Sequence, residues 1–215
     1  MIIRELKDVA VEFLNDELVS GFHGQPSKLY GYSGHRAPGF HLSDVLQDLY
    51  IRLNKPKPRD PKETGPETLW TLGLAWETII AWAWSQVFPL QPDRIIHLGE
   101  FELDGIIMTP DRLDIVDNCV IETKCTFKSA AKWPISEQWL WRVQGMAYCH
   151  ALGMTMCRYY VLHVKDILGM YGGPPIPPKV WEVEWTQGEL ERNWNMVTAH
   201  RDNMLKGKRN DCSSK

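Results

Sequence analysis

The sequence has few cysteines, and none of them are spaced as a metal or redox pair. Five occur in 215 residues: Cys119, Cys125, Cys149, Cys157 and Cys212. The number is odd and there is no CxxC, which argues against a zinc or iron–sulfur site and for a reducing, cytoplasmic setting. Long apolar runs are also missing. No stretch reaches the roughly 18 consecutive apolar residues of a membrane-spanning helix. The opening MIIRELKDVAVEF carries acids early and has no long apolar segment, so a signal peptide is not expected. Neither charge dominates: 24 Lys and Arg stand against 27 Asp and Glu, a net charge of −3. That balance disfavours a protein that coats nucleic acid through bulk charge, but not an enzyme that gathers acids around metal ions. No internal repeat is present. What remains is 44% hydrophobic and 24% charged, the composition of a soluble globular chain, and the length suits one domain with a sizeable core.

Apolar spacing predicts a short helix over 3–19 and a second over DVLQDLYIRL, with Ser43 as its N-cap. A Gly-rich aromatic loop lies between them, and the Pro-rich NKPKPRDPKETGP forms an exposed connection. Pro66 suits the first turn of a long helix ending near Phe88. Beyond Pro92 the period changes from helical to alternating, which predicts strands near 94–98, 101–109, 111–116 and 119–126. A helix over 136–152, capped by Ser136, follows. CRYYVLHV and KVWEVEW read as two further strands, separated by the Gly- and Pro-rich LGMYGGPPIPP. The last helix starts after Thr186 as N-cap and gives way to a polar, frayed tail. The expected fold is mixed α/β (α+β), with a central mixed β-sheet containing an antiparallel meander and flanked by helices.

The stretch PDRLDIVDNCVIETKC concentrates the chemistry. With Asp117-Asn118 as a two-residue hairpin turn, Val116 pairs with Cys119, Leu113 with Glu122 and Asp111 with Lys124. Asp111, Glu122 and Lys124 then share one face, while Cys119, Ile121, Thr123 and Cys125 face the core. Asp114 points away from the patch and reads as a surface acid. Two adjacent carboxylates repel unless a cation separates them, and oxygen-only ligation suits Mg²⁺ or Mn²⁺. A lysine beside them can hold a phosphate or a hydroxide nucleophile, as metal-assisted phosphodiester hydrolysis requires. The same trio also fits a salt-bridge network on a solvated strand face. Glu77, set among Trp and Ile in GLAWETIIAWAW, needs a partner, and could complete a metal ligand set; Gly73, one turn earlier, leaves room for close approach. Asp104 in ELDGII, read as a strand acid, is the rival to Asp111.

These residues resemble the core motif of the PD-(D/E)xK nuclease superfamily: Pro110-Asp111 followed by Glu122-Thr123-Lys124. The chain looks closest to the lambda-exonuclease-like (YqaJ-like) branch, with features shared by RecB-type phage nucleases. Gly73-xxx-Glu77, Gln144-Gly-Met-Ala-Tyr148 and the Arg36…Ser43 segment agree with it in order. Two positions depart: RecB-type members carry His where this chain has Glu77, and the usual glycine after Pro-Asp is Arg112 here. The resemblance implies a restriction-endonuclease-like core in a single nuclease domain over 1–215. Its helical part would cover about 1–90, its catalytic sheet and helices about 91–205, and its tail 206–215.

It further implies Asp111, Glu122 and the Thr123 carbonyl as metal ligands, with Glu77 serving a second ion. Lys124 would orient or deprotonate water and offset charge. Gln144 and Tyr148, one turn apart, would position the water, Lys124 or the phosphate. Arg36 and Ser43 would hold a DNA phosphate. The implied activity is Mg²⁺-dependent DNA exonuclease cleavage at linear double-stranded ends, with Mn²⁺ substituting, two ions in the site and a single-strand annealing protein as partner. A structure- or sequence-specific endonuclease and an inactive DNA- or protein-binding module remain open alternatives.

Weaker candidates surround the motif. Trp133, Trp139 and Trp141 can stack on bases or simply pack. Lys128 and Lys132 can reach phosphates. His35, His41 and His97 read more readily as packed or solvent-facing histidines than as site residues.

Overall fold

The structure is a computed structural model and describes residues 37–54, 66–91, 93–131, 133–167 and 177–212. The helix expected over 3–19, and with it His35, Arg36 and Lys132, lies outside the described residues. In chain order the elements are β1 (Phe40–His41), α1 (Leu42–Asn54), α2 (Pro66–Val87), β2 (Ile95–Ile96), β3 (Phe101–Leu103), β4 (Ile106–Met108), β5 (Arg112–Asp114) and β6 (Cys119–Thr126). A 3-10 turn (Ile135–Glu137) leads to α3 (Trp139–Leu152), β7 (Met156–His163), the single turn α4 (Val164–Ile167), β8 (Lys179–Glu184) and α5 (Gln187–Cys212).

The fold is mixed α/β with helices flanking the sheet, as expected, and the described strands divide into two sheets. Five strands in the order β2-β5-β6-β7-β8 make the main sheet, and β1-β4-β3 make a smaller one. In the main sheet only β6 and β7 are parallel, and the crossover that this pairing requires is α3. The segment expected as one strand over 101–109 is instead the hairpin β3–β4. Asp104 and Gly105 form its two-residue turn, with φ of 49° and 71°. Positive φ at both positions is what an Asp-Gly hairpin turn supplies, so Asp104 is a turn residue and not a strand acid.

Both faces of the main sheet are covered. Val120, Cys157, Tyr159 and Val161 point into a core shared with α1, α3 and α5. Their neighbours Cys119, Ile121, Tyr160 and Leu162 point into a second core, filled by Trp76, Ile79, Ile80, Ala83 and Trp84 of α2. Strict alternation along β6 and β7 separates the two sets. Trp76 also ties α2 to the sheet, its Nε1–H donating to the Tyr160 carbonyl at 2.9 Å.

Three helix ends differ in detail from the expectation. Ser43 falls inside the first turn of α1, where its hydroxyl donates to Asp44 Oδ1 at 3.5 Å. Ser136 belongs to the 3-10 turn, and α3 starts after Gln138, which makes no side-chain cap. Helix α5 continues to Cys212, past the expected tail boundary. Thr186 does cap α5: its hydroxyl accepts from Glu189 N–H at 3.3 Å, while Glu189 Oε2 accepts from Thr186 N–H at 2.8 Å. That reciprocal pair is a capping box.

Candidate active site

The hairpin β5–β6 carries the motif in a register two residues away from the one its turn suggested. Arg112 faces Ile121, Leu113 faces Val120 and Asp114 faces Cys119, and the turn is the four-residue Ile115–Asn118. Asn118 supplies the positive φ, 51°. A slip of two residues keeps every side chain on its face. Asp111, just before β5, therefore stays beside Glu122 and Lys124, opposite Glu122 rather than Lys124.

Glu122 is 0% exposed. Its Oε2 accepts from Lys124 Nζ at 2.5 Å, and its Oε1 lies 3.5 Å from the Asp111 backbone N–H. Asp111 Oδ2 accepts from both the backbone N–H and the hydroxyl of Thr123, each at 2.7 Å. Lys124 Nζ donates a second hydrogen bond to Gln144 Oε1 at 3.0 Å. Gln144 Nε2–H in turn donates to Tyr148 Oη at 3.0 Å, and the Tyr148 hydroxyl donates to the Thr109 carbonyl at 3.2 Å. A continuous chain thus runs from Lys124 through α3 to the loop that bears Pro110-Asp111. Thr109 is a member of this chain that no motif marks.

The electrostatics follow from burial. Glu122 is pushed up to about 8, by burial first and by Asp111 second, with Lys124 opposing. Glu77 is pushed up to about 7 by burial and then Asp111, with Arg112 and Lys124 opposing. Burial works against the Lys124 ammonium, but Glu122 and Asp111 outweigh it and raise its pKa, so Lys124 stays charged at neutral pH. Burial holds the Tyr148 phenol well above its usual range, making it a hydrogen-bond donor and not an anion.

Among the described residues, no three His, Cys, Asp or Glu side chains converge on a ready-made metal position. Asp111 is turned to Thr123 and Glu122 to Lys124. The donor chemistry nonetheless fits a hard divalent cation, because the wholly buried acid Glu122 has a second carboxylate beside it and all available ligands are oxygens.

Other expected residues fall elsewhere. Gly73 makes no close approach, since a Cβ there would meet nothing within 4 Å. The glycine that α3 needs is Gly145, between Gln144 and Tyr148. A Cβ there would run into Tyr159 Oη and lie 3.3 Å from Cys157 Sγ. An isolated glycine inside a helical pattern was its sequence signal. Asp104 Oδ2 accepts from Trp194 Nε1 at 2.8 Å, a turn-to-helix tie. His97 is exposed. His41 Nε2 meets the Ala37 carbonyl at 2.7 Å. Trp139 and Trp141 pack against the larger core, and Lys128 Nζ sits 3.0 Å from the centroid of the Trp133 ring. Cys119 is buried and Cys125 half-buried, both against α2.

Asp114 is the largest departure: it is wholly buried, not a surface acid. Arg94 clasps it with Nε and Nη2 at 2.9–3.1 Å, and Arg158 Nη1 lies 3.4 Å away. Both arginines also reach Asp117 Oδ2 at 2.9 Å. Sequence separations of 20 and 44 residues hid this cluster.

No family model matches the chain, and no curated protein matches it. Among solved structures it is similar to an alkaline exonuclease (LHK-Exo) from Laribacter hongkongensis, with 16% identity, a TM-score of 0.47, and coverage of 82% of this chain and 95% of that one. LHK-Exo in complex with dAMP gives the same identity and coverage with a TM-score of 0.48. SSO0001 is similar at 13% identity, with a TM-score of 0.38 and coverage of 92% and 85%.

Proposed function

We propose that the chain is a divalent-metal-dependent deoxyribonuclease, acting as a Mg²⁺-dependent exonuclease on linear double-stranded DNA ends in phage recombination or end processing. The observation that carries this reading is the grouping of Asp111, just before β5, with Glu122 and Lys124 of β6, where Lys124 Nζ lies 2.5 Å from Glu122 Oε2 and 3.0 Å from Gln144 Oε1. Asp111, Glu122, the Thr123 carbonyl and Glu77 are the residues that would hold Mg²⁺. Bound there, the ion supplies a Lewis acid for the scissile phosphate and a water of lowered pKa.

The chain's own groups divide the remaining work. Lys124, kept cationic by its neighbours, donates to the non-bridging phosphate oxygens and offsets the charge that gathers on them. A lysine so charged is a poor base, which favours stabilisation and orientation over proton abstraction. Gln144 and Tyr148 act through Lys124 as positioning residues. The Tyr148–Thr109 bond fixes the Asp111 loop relative to α3. Arg36 and Ser43 are assigned to a terminal DNA phosphate, by resemblance.

The test is a Mg²⁺ digest of linear and covalently closed circular duplexes, with 5′-phosphorylated and 5′-hydroxyl ends compared. Linear DNA is expected to disappear while the closed circle survives, and Glu122→Ala and Lys124→Ala are expected to be inactive but folded. Undiminished Mg²⁺-dependent digestion by Glu122→Ala rules out the site. Cutting of the closed circle moves the reading to an endonuclease.

A further inference from the structure

The segment that follows β6 is pinned by buried polar groups. Along the face that bears Glu122 and Lys124, parallel pairing sets Glu122 beside Tyr159, Lys124 beside Val161 and Thr126 beside His163. His163 therefore shares that face, one row of about 7 Å beyond Lys124. It is 2% exposed, and its Nδ1 meets the Lys128 carbonyl at 2.6 Å. A carbonyl only accepts, so Nδ1 carries the proton and donates. Asp166 of α4, 4% exposed, accepts from the Ala130 N–H at 2.7 Å. The Lys128 N–H donates to Thr126 Oγ1 at 3.1 Å, and the Ala131 N–H to Ser129 Oγ at 3.3 Å. Burying a polar side chain is costly unless it is hydrogen-bonded. Here two such side chains direct their bonds at the backbone of one irregular segment.

What that segment presents is a cation. Lys128 is exposed, and its ammonium lies 3.0 Å from the centroid of the half-buried Trp133 ring. An indole face attracts a cation without cancelling its charge, so an ammonium held this way still attracts an anion. From Cys125 to Ser136 the sequence contains two lysines and no acid. Lys179 of β8 lies on the same face, because it pairs with Val161, and Val161 with Lys124. The β8 acids Glu182 and Glu184 sit toward the other end of the strand, opposite Arg158 and Met156. Positive charge thus gathers where β6 and β7 end. Asp166 does not offset it at the surface, being buried and bound to the Ala130 N–H.

We propose that Lys128, steadied by the Trp133 ring, binds a backbone phosphate of the DNA beyond the one that Lys124 meets. The proposal rests on the deoxyribonuclease reading above and extends it from the scissile phosphate to the strand that continues past it. Trp133 is a positioning residue, and His163 and Asp166 anchor the segment that carries Lys128. A contact of this kind reads charge and not bases, so it strengthens binding to every sequence alike. A lysine ordered before the DNA arrives loses less side-chain freedom on binding, which is what the ring and the two buried anchors provide.

The experiment is equilibrium binding of the full chain to a fluorescein-labelled, 5′-phosphorylated linear duplex, with Ca²⁺ in place of Mg²⁺. Affinity is followed from about 50 to 200 mM salt, where each phosphate contact contributes about 0.9 to the slope of log K against log salt. Lys128→Ala is expected to bind more weakly and to flatten the slope by about that amount. Lys128→Arg, which keeps the charge, is expected to keep the wild-type slope. A slope flattened there too would tie the effect to the segment's structure and overturn the phosphate contact. Trp133→Ala is expected to weaken binding in the wild type and to add nothing in the Lys128→Ala background. Equal losses in both backgrounds overturn the positioning role of the ring. If Trp133→Ala does not fold, Trp133→Leu, which keeps bulk without a π face, replaces it in the same cycle. An unchanged slope in Lys128→Ala overturns the proposal, and leaves the nuclease reading standing where the wild type cuts the same duplex with Mg²⁺. A wild type that neither binds the duplex nor cuts it with Mg²⁺ removes the nuclease reading, and this proposal with it.

Discussion

Lys124 Nζ reaches Gln144 Oε1 at 3.0 Å across the boundary between β6 and the crossover helix α3. That bond is what holds the ammonium in place. The lysine's only other described contact is Glu122, and a flexible four-carbon side chain with one carboxylate partner can settle in several positions. Gln144 is itself oriented by Tyr148, so the amide presents its oxygen and not its nitrogen to Lys124.

Removing this support should lower turnover without removing the metal. Gln144→Ala and Tyr148→Phe are expected to cut kcat about 10–100-fold, the usual cost of losing an outer partner in a metal site. Lys124→Ala should cost more, about 100-fold or above, because it removes a donor aimed at developing charge. Mn²⁺ affinity measured by calorimetry should stay within a few-fold of wild type in Gln144→Ala. A large loss of Mn²⁺ binding in that variant, with kcat preserved at saturating metal, contradicts the positioning role.

The acids set a pH dependence with a definite sign. Glu77 and Glu122 have pKa values raised by burial to about 7 and about 8. A carboxyl whose folded pKa lies above its unfolded value stabilises the fold fully below the unfolded value, and this contribution is lost as pH rises through the folded one. The metal-free protein should therefore lose Tm between about pH 5 and pH 9. A cation takes the place of the protons, so Mg²⁺ or Mn²⁺ should raise Tm more at pH 8.5 than at pH 6, and binding should release protons. Thermal melts with and without metal across this range, together with titrations in buffers of different ionisation enthalpy, provide the check. A metal-induced rise in Tm that is larger at pH 6 than at pH 8.5 contradicts the assignment.

The same hairpin shows which parts of the site a sequence reveals and which it hides. Alternation along ETKC was enough to put Glu122 and Lys124 on one face and Thr123 on the other, because a strand's period is 2 wherever the strand begins. The turn was harder to place. Ile115 and Val116 are apolar and look like strand, yet both are exposed turn residues. The grouping survived this error because the slip was even. Asp114 kept its face too, but that face is buried, because it leads to Arg94 and Arg158, whose positions depend on β2 and β7 and not on local spacing. At Asp104 the local signal was present: an Asp-Gly pair between apolar runs is a hairpin turn. That dipeptide outweighs the apolar runs on either side and places Asp104 in the turn. The Gln144–Lys124 contact joins residues 20 apart on different elements, and only the packing of α3 on β6 creates it.

The buried cluster around Asp114 yields the sharpest prediction for stability. Asp114 is 0% exposed, Arg94 and Arg158 are 7% and 6% exposed, and each arginine also reaches Asp117. Arg94 additionally lies over the Phe88 ring at 4.3 Å, so its guanidinium is held at the end of α2. Asp114 Oδ1 also accepts from the backbone N–H groups of Val116 and Asp117, at 3.1 and 3.0 Å, and so shapes the turn between β5 and β6. Removing one partner of a buried ion pair leaves the other charged and unpaired, at a cost of about 3–5 kcal/mol. Asp114→Ala should therefore be among the most destabilising substitutions in this hairpin, despite making no contact with Lys124 or Gln144. Its activity per folded molecule should fall as well, because the turn it braces sets the register that brings Asp111 opposite Glu122. Asp114→Asn, which keeps the shape and one acceptor oxygen but not the charge, should be intermediate. Denaturant unfolding of the three proteins orders them as wild type, Asp114→Asn, Asp114→Ala. Equal stability of Asp114→Ala and wild type would show that the two arginines find other partners, and that the register is held by the β5–β6 backbone pairing alone.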